Sequence, residues 1–102
     1  MAIAEIEKSG NTLTVRPEGR LDTARTPLLD NELKQHLEGV SQIVMDLSKL
    51  AYVSSSGLRL LLWLEQKMED EGGEVQVINA NKTVLKIFEM AGFMGVLNII
   101  TD

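Results

Sequence analysis

The feature that most constrains the fold is a nearly continuous apolar run from Ile43 to Leu47, followed after a short gap by a helical pattern. An apolar run of this length suits a strand that is covered on both faces, as in a parallel sheet. A second short run, Val75 to Ile78, follows that helical pattern. Because strands that alternate with helices form right-handed βαβ units, the chain is predicted to adopt an α/β fold.

The first residues add an antiparallel component to this sheet. Ile3 and Ile6 flank a possible short strand, Gly10-Asn11 is a turn signal, and residues 12–16 alternate polar and apolar side chains. An N-terminal hairpin is therefore expected, and the sheet is predicted to be mixed, with helices packed on it. The 102 residues are enough for one domain, residues 1–102, and too few for two.

Three helices are predicted from capping residues, apolar spacing and glycine stops. The predicted helices run from a cap at Asp22 or Thr23 to Gly39, from Ser56 to Glu71, and from a cap at Asn79 or Asn81 to Gly92; Val96 to Ile100 is a final strand or helical turn. In the second helix, one face is apolar and should be core: Leu60, Leu61, Leu64 and Met68. The opposite face carries Arg59, Trp63, Gln66 and Asp70.

The stretch Ser54-Ser55-Ser56-Gly57 precedes the second helix and is predicted to lie at the carboxyl end of a central strand, where open α/β sheets keep their sites. Serine is a preferred helix N-cap, and the helix dipole favours anions at that end. Two interpretations follow from the residues alone. The serines only cap the helix, or they also present a hydroxyl that another protein modifies.

The motifs of common enzyme sites are missing. The Gly-x-Ser-x-Gly elbow of serine hydrolases is absent, and His36, the only histidine, is predicted to be an ordinary helical side chain. The acids of residues 69–71 are consecutive, so they do not face one another on a helix. There is no P-loop motif and no metal-ligand spacing. We therefore expect no enzyme activity, no metal and no cofactor.

Charge and hydropathy exclude further classes of protein. The formal net charge is −5 and no basic run occurs, so direct nucleic-acid binding is not expected. The longest apolar run, Leu60 to Leu64, is far shorter than the roughly 20 residues of a membrane span. The first residues are mixed and include Glu5, unlike a signal peptide, and there is no cysteine. A cytoplasmic protein is expected.

Three segments in order resemble the STAS domain family, in particular small bacterial anti-sigma factor antagonists. These segments are Gly19-Arg20-Leu21-Asp22; residues 43–58, which end in Tyr52-Val53-Ser54-Ser55-Ser56-Gly57-Leu58; and residues 84–93, which end in Glu89-Met90-Ala91-Gly92-Phe93. The resemblance covers essentially the whole chain. It implies a mixed sheet with helices, with the serine at the start of the second main helix.

The resemblance also implies a role for individual residues. In the family the motif is usually Asp-Ser-Ser-Gly or Asp-Ser-Thr-Gly, and an anti-sigma factor that is also a serine kinase phosphorylates the residue after the aspartate. Ser55 is then the phosphoacceptor, ahead of Ser54 and Ser56, and Ser54 stands where the family has aspartate. The residues expected to bind the partner are Asp22, Ser54, Ser56, Gly57, Arg59 and Trp63.

The implied function is partner switching: the unphosphorylated protein binds the anti-sigma factor and frees a sigma factor, and phosphorylation breaks that complex. Two alternatives stay open, namely a small STAS subunit of an ABC-type lipid transporter and a scaffold subunit of the stressosome type. A monomer or weak dimer is expected.

Overall fold

The structure is a computed structural model that describes residues 3–101. Seven strands and three helices are found in this part of the chain. The strands are β1 (Ala4–Ser9), β2 (Thr12–Pro17), β3 (Gly19–Leu21), β4 (Gln42–Asp46), β5 (Leu50–Val53), β6 (Glu74–Ile78) and β7 (Asn98–Ile99). The helices are α1 (Thr26–Lys34), α2 (Ser55–Asp70) and α3 (Lys82–Met90).

Five strands form the main sheet, in the order β1-β2-β4-β6-β7. β1 and β2 are an antiparallel hairpin, whereas β2, β4, β6 and β7 are parallel neighbours. The predicted mixed sheet and N-terminal hairpin are therefore confirmed. Each parallel connection carries a helix, as crossovers between parallel strands require.

A second, two-stranded sheet was not predicted. β3 pairs in parallel with β5, and the N–H of Gly19 donates to the carbonyl of Lys49 at 2.9 Å. The serine stretch follows β5, so its expected place at the end of a central strand is wrong. Strands of three and four residues are too short to show a period, which is why the sequence pattern missed them.

α1 is shorter than predicted at both ends. Asp22 does accept a hydrogen bond from the N–H of Arg25 at 2.9 Å, but this closes only a turn. Pro27 has no N–H to donate to a carbonyl of the preceding turn, so the regular helix begins at Thr26. At the other end the N–H groups of Gln35 and His36 bond three residues back, which tightens the last turn and ends the helix at Lys34 rather than Gly39.

The other two helices lie within a few residues of their predicted bounds. Ser54 caps α2, so this helix begins at Ser55, one residue before the prediction. Of the two asparagines considered for α3, Asn81 is the cap: its side-chain oxygen accepts the N–H of Val84 at 2.8 Å. Asn79 instead adopts a positive φ of 61° and donates to Asp46.

Asp46 ties together the carboxyl ends of three parallel strands. Its carboxylate accepts hydrogen bonds from Arg16 Nε at 2.9 Å, from Asn79 Nδ2 at 3.0 Å and from the N–H of Ser48 at 3.0 Å. Burial acts to raise the pKa of Asp46, but these hydrogen bonds outweigh it and lower the pKa to about 2. Asp46 is therefore a charged anchor of the fold.

The core lies between the main sheet and the helices. The apolar face predicted for α2 is buried, and Phe88 of α3 is fully enclosed. No helix within residues 3–101 is long and apolar enough to cross a membrane.

Candidate functional site

Ser54 fixes the loop that carries the serines. Its backbone is extended, and its Oγ accepts the N–H of Gly57 at 3.5 Å, as an N-cap does. Its own N–H donates to the carbonyl of Leu21 at 2.8 Å. The start of α2 is thereby held against the end of β3.

Gly57 allows α2 to approach the small sheet closely. A Cβ at this position would lie 2.5 Å from Cγ2 of Val53 and 3.1 Å from Cβ of Leu21. Gly57 is buried, so it lies beneath the surface that a partner could touch. Any contribution of Gly57 to partner binding, which stays a prediction, would act by positioning the serines above it.

Ser55 and Ser56 occupy the first turn of α2 in different environments. Ser55 is exposed, whereas Ser56 is half-buried and its Oγ accepts a long hydrogen bond from Arg59 Nη2 at 3.5 Å. Residues three or four apart are neighbours on a helix surface, so Arg59 adjoins both hydroxyls. The first turn therefore combines an exposed hydroxyl, the positive end of the helix dipole and a guanidinium group.

Asp22 lies beside this loop, since it directly follows Leu21, whose carbonyl holds Ser54. It is half-buried, and its carboxylate is used in the turn to Arg25. An arginine that the sequence analysis missed lies on the same strand pair: the guanidinium of Arg20 stacks 4.4 Å from the centre of the Tyr52 ring. The pairing of Arg20 with Tyr52 depends on the register of β3 and β5, which no sequence pattern indicated.

Trp63 lies on the same side of α2 as Arg59, about 12 Å along the helix from Ser55 at 1.5 Å per residue. It is 38% exposed, and the ammonium groups of Lys34 and Lys67 lie 5.0 and 6.0 Å from the centre of its ring. The predicted polar face is exposed at Arg59, Gln66 and Asp70 as well. The sequence did not indicate Lys34, because it comes from α1.

A groove of about 380 Å³ between α1 and α2 connects these residues, and Ser56, Arg59 and Trp63 all line it. The structure thus brings together Asp22, Ser54, Ser55 and Ser56 at the start of α2 and extends this surface along the groove. Within residues 3–101 no cluster of histidine, aspartate and glutamate side chains is arranged to hold a metal ion. The surface therefore offers an exposed serine hydroxyl beside a groove that is lined by apolar and charged side chains.

The sequence model of the STAS domain family matches residues 4–102. BtrV of Bordetella bronchiseptica, which is named for the role of anti-sigma factor antagonist, is 27% identical over 95 residues that cover 92% of this chain and 82% of that protein. The anti-sigma F factor antagonist of Paenibacillus polymyxa is 27% identical over 97 residues that cover 93% and 83% of the two chains.

The fold is similar to that of the anti-sigma factor antagonist SpoIIAA in its unphosphorylated form, with a TM-score of 0.82 and 22% identity over 97% of this chain and 89% of that one. Family and fold thus agree with the three motif segments. The chain belongs to the STAS domain family.

Proposed function

We propose that this protein is an anti-sigma factor antagonist that works by phosphorylation-controlled partner switching, with Ser55 as the phosphoacceptor. The names of the BtrV and Paenibacillus polymyxa relatives support the role of antagonist. Its partner would be an anti-sigma factor that is also a serine kinase, and the two proteins would bind each other in the bacterial cytoplasm. The protein itself would have no catalytic turnover.

The observation that supports Ser55 as the phosphoacceptor is that the three serine hydroxyls have different surroundings. The oxygen of Ser54 is engaged as the helix cap, and that of Ser56 accepts from Arg59. Ser55 is the exposed member of the three, so its hydroxyl is accessible to a kinase in the folded protein. A kinase needs this access, because it must align the hydroxyl with the phosphate of its nucleotide.

The replacement of the family's usual aspartate by Ser54 is compatible with this proposal. Serine and aspartate are about equally good N-caps, since either supplies an oxygen to the N–H groups of the first turn. Ser54 makes this cap with Gly57. The loop can therefore keep the shape that presents Ser55, although it has one negative charge fewer.

The magnitudes favour a switch that acts on the partner rather than on the fold. An anion at a helix N-terminus gains roughly 0.3–1 kcal/mol, so a phosphate on Ser55 should leave the domain folded. A charge buried without a partner at an interface costs roughly 2–5 kcal/mol. That corresponds to an affinity lower by about 30-fold to several-thousand-fold. The interface effect is the larger, so phosphorylation should release the partner from an intact domain.

Phosphosite mapping tests the assignment. The purified protein is incubated with ATP and the kinase obtained by pull-down, and the products of wild type, Ser54→Ala, Ser55→Ala and Ser56→Ala are compared. Label should be lost only in Ser55→Ala. Label that persists in Ser55→Ala would overturn the assignment, and capture of a transporter ATPase with no labelling at all would favour the transporter alternative.

A further inference from the structure

The groove between α1 and α2 has an apolar floor that residues of both helices build. Pro27 contributes from α1, and Leu60 and Trp63 contribute from α2. Trp63 is well suited to anchor another molecule, because aromatic side chains are enriched among the residues that dominate binding energy. The groove is continuous with the serine site through Ser56.

A buried hydroxyl in the wall of this groove lacks a partner. Thr26 is only 6% exposed, and its Oγ1 makes no hydrogen bond within the described part of the chain. A buried polar atom without a partner costs free energy, so such atoms are uncommon in folded proteins. Because this oxygen is itself covered, it gives the groove no exposed hydrogen-bonding group, and binding in the groove would depend on its apolar and charged side chains.

The rim of the groove is more positive than the chain as a whole. The lining of the groove includes two cations, Arg59 and Lys34, and one carboxylate, Asp30, whereas the formal net charge of the whole protein is −5. The ion pair of Lys34 with Asp30 is exposed, at 3.3 Å, and pairs of this kind contribute little. Arg59 bonds only to the neutral oxygen of Ser56 among the described residues. Both cations are therefore available to an incoming anion.

The depression continues past Trp63, but the excess of positive charge does not. A second hollow of about 480 Å³ shares Lys34 and Trp63 with the groove and includes Lys67, but it also includes Glu38 and Glu71, and Lys67 is paired with Glu71 at 2.6 Å. The positive rim is therefore formed by Arg59 and Lys34 alone. The combined surface is elongated, because Trp63 lines both parts of it, and the ammonium groups of Lys34 and Lys67 lie 5.0 and 6.0 Å from the centre of the indole ring. An extended peptide segment fits this shape better than a compact small molecule does.

We propose that this groove binds an acidic segment of a protein partner, with an apolar side chain of the segment on Trp63 and its carboxylates at Arg59 and Lys34. The proposal deepens the proposed function by naming the chemistry of the partner's contact. One consequence rests on that function: a phosphate on Ser55 would lie one helical turn from Arg59 and would compete with the acidic segment for it.

The test uses the unphosphorylated protein and a synthetic peptide in which phenylalanine is flanked by glutamates. Trp63 is the only tryptophan, so its fluorescence reports occupation of the groove. The glutamate peptide should change the fluorescence and bind more weakly as salt is added. The same peptide with lysine in place of each glutamate should not bind.

Charge-reversal variants locate the site. Lys34→Glu and Arg59→Glu should each weaken binding of the glutamate peptide by about tenfold or more, because attraction is replaced by repulsion. Lys82→Glu, an exposed reversal on α3, should bind the glutamate peptide as wild type does. Circular dichroism confirms folding, and Lys34→Gln and Arg59→Gln, expected to lose less affinity, replace any reversal variant that unfolds.

Equal binding of the glutamate and lysine peptides, no binding of either, or wild-type affinity in both reversal variants would overturn the proposal. No kinase is present in this experiment. Its failure would therefore leave the Ser55 switch intact, and failure of phosphosite mapping would leave the peptide result intact.

Discussion

Asp46 illustrates how one buried carboxylate can join three of the five strands of the main sheet. Its pKa of about 2 in the folded protein lies below the ordinary value of 3.8. A lowered pKa means that Asp46 stabilises the fold above about pH 4, and that this contribution is lost as the pH falls towards 2. The shift corresponds to about 2 kcal/mol at neutral pH.

We predict that Asp46→Asn lowers the free energy of unfolding by about 2 kcal/mol at pH 7, and that the difference from wild type shrinks as the pH falls from 4 to 2. Urea denaturation across that range measures it. Asp30→Asn, which removes an exposed pair with Lys34, is the matched control and should change little. A constant difference at all pH values would show that the charge of Asp46 is not the cause.

Gly57 is predicted to be essential to the packing under the serine loop. Gly57→Ala places a methyl group against Val53 and Leu21 and should cost about 1–3 kcal/mol, the usual range for overpacking. Gly95→Ala is the control, because a Cβ there meets nothing within 4 Å. Thermal melts compare the two variants, and equal stability of Gly57→Ala and wild type would refute the close packing.

Trp63 is predicted to act in binding rather than in folding. Trp63→Ala should lower stability by about 1 kcal/mol or less, chiefly through the lost contacts with Lys34 and Lys67. It should weaken partner binding by about 2 kcal/mol, roughly 30-fold. Leu28→Ala removes another exposed apolar side chain, outside the groove, and should leave binding unchanged. A loss of stability near 3–5 kcal/mol would instead place Trp63 in the core.

At the scale of the elements, the parts with strong local signals were predictable. α2 combines a serine cap, a sustained apolar face and a glycine stop, and each of these signals depends only on residues that are close together in the sequence. The hairpin and the strands β4 and β6 were likewise predictable from turn signals and apolar runs. These elements fix the sheet and the start of α2, and therefore the position of Ser55.

The elements that depend on distant partners were not predictable. β3 and β5 are short and are defined by pairing with each other across the chain. The hydrogen bond from Arg25 to Asp22 resembles a helix cap, but the regular helix α1 begins only at Thr26, next to Pro27. The capping residue alone does not indicate this later start. For the same reason the sequence indicated Arg59 and Trp63 but missed Arg20, Tyr52 and Lys34, which join the surface only through tertiary packing.

At the scale of the whole molecule, the domain combines a packed core with an exposed serine, at which we propose the switch. The core and the Asp46 network hold the sheet, and Ser54 and Gly57 fix the start of α2 on it. A charge added at Ser55 would then be exposed to solvent in the free protein and would face the partner in the proposed complex. The proposed switch would need no second conformation of the domain.

The most direct test of this account is a partner-binding titration of Ser55→Asp and Ser55→Ala beside wild type, with a thermal melt of each protein. Ser55→Ala should bind as wild type does, whereas Ser55→Asp should bind at least about tenfold more weakly, because its charge would be buried at the interface. All three should melt at nearly the same temperature. If Ser55→Asp binds as tightly as Ser55→Ala, or weakens binding only together with a large loss of stability, the proposed switch at Ser55 is contradicted.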